Sequence, residues 1–110
     1  MSEKRYVDPI TGGEKGQRLA RFDLIPPAAL IALAEHFGVG ATKYEDRNWE
    51  RGYPWSLSFA ALQRHILAFW NGEDLDPETR SHHAIAAMWH CAVLFTFSTK
   101  GLGTDDRTRS

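Results

Sequence analysis

The chain has one cysteine, Cys91, and no second thiol to pair with it, which excludes a disulfide framework and CxxC-type zinc sites. No eighteen apolar residues run together, and the opening stretch MSEKRYVDPITGGEKGQR lacks the apolar segment of a signal peptide, so no membrane span and a cytoplasmic location are expected. One-signed charge is missing as well. Thirteen Lys and Arg stand against fourteen Asp and Glu, scattered along the chain, which leaves no electrostatic footprint for nucleic acid. Strand signals are equally scarce: no run alternates with period two over strand length, so a sheet is not expected. What remains abundant is aromatic, with four Trp, six Phe and three Tyr in 110 residues, enough for one compact core and an interface.

Residues 1–20 are polar and carry TGGEKGQ, the composition of an arm that is flexible alone and orders on a ligand or a neighbouring subunit. Residues 99–110, containing GLGTDDRTRS, read as a similar tail. Three helical patterns fill the domain between them, residues 21–98. The first starts at IPP, has Leu30, Leu33, Ala34 and Phe37 on one stripe, and meets Gly38 and Gly40, which are expected to end or loosen it. ATKYEDRNWERGYPW follows as a short helix or ordered loop. The second helix has Ser56 or Ser58 as candidate N-cap, a stripe of Phe59, Leu62, Ile66 and Phe69, and Gly72 as its stop. The third begins after Ser81 with Ile85, Met88, Trp89, Ala92 and Val93 in phase, and fades at STKGLG. The fold class is all-α, with no internal repeat.

Between the second and third helices lies GEDLDPETRSHH, four carboxylates and two imidazoles in twelve positions. If the second helix continues, Glu73 and Asp76 are three apart on one face, about 5–6 Å from each other, close enough to share a hard cation such as Mg²⁺ or Mn²⁺. The plainer alternative is a solvated bend capped by Asp76 before Pro77. His83 and His90 are seven apart, so about 10.5 Å of helical rise keeps them from one ion's inner shell. His83, beside the acidic connection, is the better functional candidate, and His90 reads as a hydrogen-bonded core or interface histidine. His82 points to another face. His65 reads either as a core-edge residue or as a phosphate donor or partner of a carboxylate. In KYEDRNW, Lys43, Tyr44, Arg47, Asn48 and Trp49 combine cations for phosphate with rings and an amide for a base, if the segment is helical. Tyr44 and Trp49 as core or interface anchors is the alternative. Glu35, the one carboxylate within the first helix, is a further candidate metal ligand from a facing helix.

Taken together, RFDLIPPAAL, GVGATKYEDRNWERGYPWS, AALQRHILAFWNGEDLDPET and SHHAIAAMWH resemble the phage-type dATP/dGTP diphosphohydrolases, MazG-like all-α nucleoside triphosphate pyrophosphatases, over about residues 17–97. The most specific parts are the GAxKYxxRNWxxG pattern and the order RH…GEDxD…H. The resemblance implies cleavage of a (deoxy)purine nucleoside triphosphate between its α and β phosphates with Mg²⁺ or Mn²⁺, in the host cytoplasm if a phage encodes the chain. It places Lys43, Tyr44, Arg47, Asn48, His65, Glu73, Asp76 and His83 on characteristic polar positions. Glu73 and Asp76 are then the expected metal ligands with Glu35 as a third, His65 and His83 catalytic partners, and Lys43, Tyr44, Arg47, Asn48 and Trp49 the substrate contacts. A homodimer or homotetramer is expected, since three short helices bury little core alone. The sequence departs from the group in having Ala86 where many relatives carry a second His, and Glu35 lacks the partner of an ExxE pair. That second departure suits a rival of another class, a phage protein that sequesters a nucleotide without turning it over.

Overall fold

The computed structural model describes residues 3–109. Strands β1 (Glu3–Val7) and β2 (Glu14–Arg18) precede a 3₁₀ turn at Phe22–Leu24; helix α1 (Pro27–Lys43), a 3₁₀ turn at Asn48–Arg51, α2 (Trp55–Trp70) and α3 (His83–Lys100) follow. Helices dominate, but the class is not purely all-α. β1 and β2 pair antiparallel, Glu3 opposite Arg18 and Val7 opposite Glu14. The stretch read as an arm is thus a hairpin. Its turn is built by Asp8, whose Oδ1 accepts from the amides of Ile10 and Thr11 at 2.9 Å each, with Gly12 at φ 76°. Period-two alternation reports one buried face. This ribbon is largely exposed on both, so its sequence has nothing to alternate.

α1 runs through Gly38 and Gly40 rather than ending there. Each costs about 1 kcal/mol relative to Ala in a helix interior, yet neither has the positive φ of a terminator, and Phe37 anchors the segment against Trp49 and Trp89. The helix stops at Tyr44, an extended C-cap.

At the start of α2, neither Ser56 nor Ser58 is the N-cap. Pro54 holds that position, and Asp106 accepts from the Ser56 amide at 3.0 Å and from its hydroxyl. An acidic side chain from the C-terminal segment therefore satisfies a free amide of the first turn and complements its dipole. The same segment, read as a tail, is docked: Trp55 Nε1 donates to the Leu102 carbonyl at 2.8 Å, and the Trp55 amide donates to that of Thr104 at 3.0 Å. These contacts bring the end of α3 beside the start of α2, so the two run antiparallel. α3 packs on both α2 and α1.

The core is narrow. Trp55, Val93 and Phe97 are buried at its centre, with Trp49, Tyr53, Trp89, Leu94 and Leu102 against them. Along α2 the inward residues are Trp55, Ser58 and His65, whereas Phe59, Ile66 and Phe69 of the expected stripe face solvent and Trp70 is 83% exposed. The helix is rotated from its apolar phase. On α3, Val93 lies inward as expected, with His83, Ala86, Ala87 and Phe97, while Met88 is exposed. The radius of gyration is 18.3 Å, against about 13 Å for a compact domain near this size. No helix among the described residues is long and apolar enough to cross a membrane.

Two glycines make the terminal docking possible. A Cβ on Gly103 would lie 2.4 Å from the Tyr53 carbonyl oxygen, and one on Gly52 2.5 Å from the Gly103 nitrogen, both at positive φ. Gly101 also has positive φ but open space around it. Gly103→Ala is therefore expected to cost about 2–4 kcal/mol, against about 1–2 kcal/mol for Gly101→Ala, in urea unfolding followed by circular dichroism. Equal costs would mean that the close approach at Tyr53 does not govern the docking.

Candidate metal centre and cleft

The connection between α2 and α3 is a built loop. Gly72, at φ 99°, turns the chain out of α2, and the Glu73 amide returns to the Ala68 carbonyl. Leu75 bridges His82, and the amides of Asp76 and His83 donate to the carbonyls of Ser81 and Asp74, at 2.8 Å each. At the tip, Asp76 Oδ1 accepts from the Glu78 amide at 2.9 Å, while Arg80 adopts a left-handed conformation, φ 67°, and donates its amide to the Asp76 carbonyl. One oxygen of Asp76 is thereby used to shape the loop. The other, Oδ2, stands 4.0 Å from His65 Nδ1.

His65 and His83 are buried, and their Nδ1 atoms are 2.8 Å apart. Glu73 lies 2.7 Å from His83 Nε2. A carboxylate accepts from an imidazole N–H, so the His83 proton sits on Nε2 and its Nδ1 lone pair faces His65. Burial, helped by the Arg64 charge and by His83, lowers the His65 pKa and keeps that ring neutral, the form that binds metal. One nitrogen from each imidazole and one Asp76 oxygen all lie within 4.8 Å of each other. Donors about 2.1 Å from a shared ion are separated by about 3 Å at a right angle and about 4 Å when opposed, and the spacings of 2.8 and 4.0 Å from His65 Nδ1 fall in that range. Two nitrogens with one oxygen is a set for first-row transition ions, softer than the oxygen-only set expected from Glu73, Asp76 and Glu35.

The geometry divides the expected ligands differently. Glu73 bonds His83 from outside the three-residue group, and the imidazoles of His65 and His83 stand beside Asp76 as the groups that could hold an ion. Glu35 is exposed and lines a separate groove beside His82 and Arg80. His82 caps α3, its Nδ1 accepting from the Ala84 amide. His90 lies outside the three-residue group, as two turns of helix require, and bonds Ser58 at 3.0 Å.

His65 and Asp76 form one wall of a cleft of about 880 Å³, which Lys43, Tyr44, Arg47, Asn48 and Trp49 also line. The five substrate candidates are therefore gathered around one space, though not on one helix face. Lys43 ends α1, the chain turns at Tyr44, and Arg47 is left-handed at φ 60°. The pairs Lys43–Glu78, 3.2 Å, and Arg47–Glu50, 3.6 Å, are exposed and weak enough to yield to a bound anion. Trp49 packs edge-on to Trp89, joining the cleft to the core. Four residues here had no place in the sequence reading or a bland one: His36, bonded to Ser81 at 2.7 Å, with Tyr53, Ser58 and His90. For Ser58 and His90 the signal was phase, since Ser58 and His65, and His83 and His90, are each seven apart; His36 and Tyr53 carried no such signal.

A helical hairpin that gathers two imidazoles and a carboxylate at the edge of a cleft lined by aromatic rings and charges of both signs defines a candidate binding or catalytic domain. The family described as dATP/dGTP diphosphohydrolase, N-terminal, matches residues 9–107, and the chain belongs to it. It is 31% identical over 98 residues to a dATP/dGTP diphosphohydrolase of Salmonella phage PMBT28, covering 89% of this chain and 33% of that protein. The chain thus spans about a third of that relative's length. No solved structure matches.

Burial also lowers the pKa of His36, and that of His90 to about 4. These folded values lie below the unfolded value of about 6.5, so the unfolded chain takes up protons first, and the stabilisation present above pH 6.5 is lost on acidification. Between pH 7.5 and 5 the His90 share amounts to about 2 kcal/mol. The urea midpoint of chelator-treated protein should fall accordingly over that interval. An unchanged midpoint would contradict buried neutral imidazoles.

Proposed function

We propose that this domain hydrolyses a (deoxy)purine nucleoside triphosphate to the monophosphate and pyrophosphate, using Mn²⁺ or Mg²⁺. The observation that carries the reading is the shared cleft: His65 and Asp76 of the three-residue group line it together with Lys43, Arg47, Tyr44 and Trp49, and His83 stands behind them against His65. The name borne by the phage relative supplies the substrate class.

His65, Asp76 and His83 would hold the cation, which supplies charge neutralisation on the phosphates and a more acidic water. The chain's own groups do the rest. Lys43 and Arg47 neutralise the outer phosphates, and their charge opposes that developing on departing pyrophosphate. Glu73 keeps the His83 proton on Nε2 and its ring in place. Tyr44 and Trp49 offer faces to the base, and Asn48 a donor and acceptor for its edge. With Phe59, Ile66, Leu67 and Trp70 exposed along α2, association into a homodimer or homotetramer through that face completes the proposal.

Incubation with each dNTP and Mn²⁺, followed by anion-exchange chromatography, is expected to yield dAMP or dGMP with pyrophosphate. Retained but intact nucleotide would instead establish the sequestering protein. Asp76→Asn should lower turnover at least about a hundredfold while the helical circular dichroism is unchanged. Because two of the three donors are nitrogen, Mn²⁺ should support activity at lower concentration than Mg²⁺. Preference for Mg²⁺ would point back to an all-oxygen site.

A further inference from the structure

Behind the metal group lies a second polar chain that the proposed chemistry does not use. Ser58 is fully buried, and its hydroxyl touches the Tyr53 hydroxyl at 2.6 Å and His90 Nδ1 at 3.0 Å. The His90 ring stacks on His65 with centroids 5.9 Å apart and planes at 26°. Both Tyr53 and His90 border the cleft.

Proton order along this chain follows from acidity. A phenol is the stronger hydroxyl donor, and the lone pair of a neutral imidazole is the strongest acceptor of the three. Ser58 is fully buried and its single proton has no acceptor besides these two partners among the described residues, so Tyr53 donates to Ser58 and Ser58 donates to His90 Nδ1. The reverse order would set the weakest acceptor, the phenolic oxygen, at its end. The His90 proton then belongs on Nε2. Among the described residues no buried side-chain nitrogen or oxygen lacks a partner, and Nε2 makes no hydrogen bond, so it is open to solvent. The cleft is the space that His90 borders.

We infer that His90 is a substrate-binding residue, an Nε2–H donor held by the Tyr53–Ser58 relay and offered to a phosphate oxygen of a nucleotide in the cleft. This rests on the nucleotide reading of that cleft and adds one ligand contact to it. Tyr53 and Ser58 are positioning residues.

Two measurements test it. Nitrogen-15 NMR of the ligand-free wild-type protein should show His90 as the Nε2–H tautomer; the Nδ1–H tautomer would overturn the inference. Calorimetry with α,β-imido-dATP and Mg²⁺ then compares His90→Gln, whose amide nitrogen reaches the Nε2 position, with His90→Asn, which reaches only the Nδ1 position and keeps a polar partner for Ser58. The Gln variant should stay within about threefold of wild type, and the Asn variant should bind about ten- to a hundredfold more weakly. Equal affinities would remove His90 from the ligand. Failure of the wider reading looks different: wild type that binds the analogue, discriminates Gln from Asn and cleaves no dNTP retains the His90 contact and loses the hydrolase. Cleavage by wild type with equal binding by both variants does the opposite. Absence of binding by wild type removes both.

Discussion

Two imidazoles meeting at 2.8 Å in a buried seam set the terms for the rest of the structure. Such a contact tolerates at most one proton between the two nitrogens, because two N–H groups pointing at each other at that distance would clash and leave both donors without an acceptor. One of the two facing nitrogens must therefore present a lone pair, a requirement that several elements meet. Glu73 meets part of it by accepting from His83 Nε2–H on the far side of the ring, which leaves the Nδ1 lone pair toward His65. Helix α2 meets another part by turning Ser58 and His65, rather than its apolar stripe, toward α3. That orientation gives up burial worth about 1.5–3 kcal/mol per large apolar side chain, and the exposed Phe59, Ile66 and Trp70 are its visible consequence.

The twelve-residue connection is what makes the seam chemically useful. A solvated bend would leave its carboxylates free to wander. Here four polar residues have fixed duties: Glu73 holds His83, Asp76 closes its own loop with one oxygen and faces His65 with the other, Ser81 ties the loop to His36 of α1, and His82 caps α3. The left-handed Arg80 lets so short a loop return to Asp76. Such strain persists where surrounding hydrogen bonds over-determine the backbone, and the bridge between Leu75 and His82 does so on both flanks.

How much of this was legible in the sequence depends on whether an element's partner is local. The three helices were readable because hydrophobic spacing and prolines are local, and Gly72 ended α2 where it was expected to. The loop carrying Glu73 and Asp76 was readable because acidic residues between two helices are conspicuous. The roles within it were not, since the separation of His65 from His83 depends on how α2 rotates against α3, and the apolar stripe predicts the opposite rotation. The hairpin escaped because a ribbon exposed on both faces has no alternation, and Glu35 misled because a carboxylate on a helix carries no mark of what faces it. Asp106 as the partner of Ser56 was beyond local reasoning altogether, with fifty positions between them.

That distant contact also shows why the C-terminal segment belongs to the site's support. Tyr53 is gripped at three points: its carbonyl accepts from the Thr104 amide and abuts Gly103, its ring packs edge-on to Phe97 at 5.1 Å, and its hydroxyl meets Ser58. The first point is set by the docked terminus, the second by the core, the third by the polar seam. Any displacement of residues 102–106 therefore reaches Ser58 through one rigid side chain, and from Ser58 the ring of His90 on the cleft wall. Trp49 works in parallel, packing on Phe97 and Trp89 in the core while facing the cleft. With so few fully buried residues, the domain cannot separate a structural core from a functional surface. The side chains that stabilise the hairpin of α2 and α3 are the ones that aim its polar groups, so a change in core packing should be felt in the cleft before the helices melt.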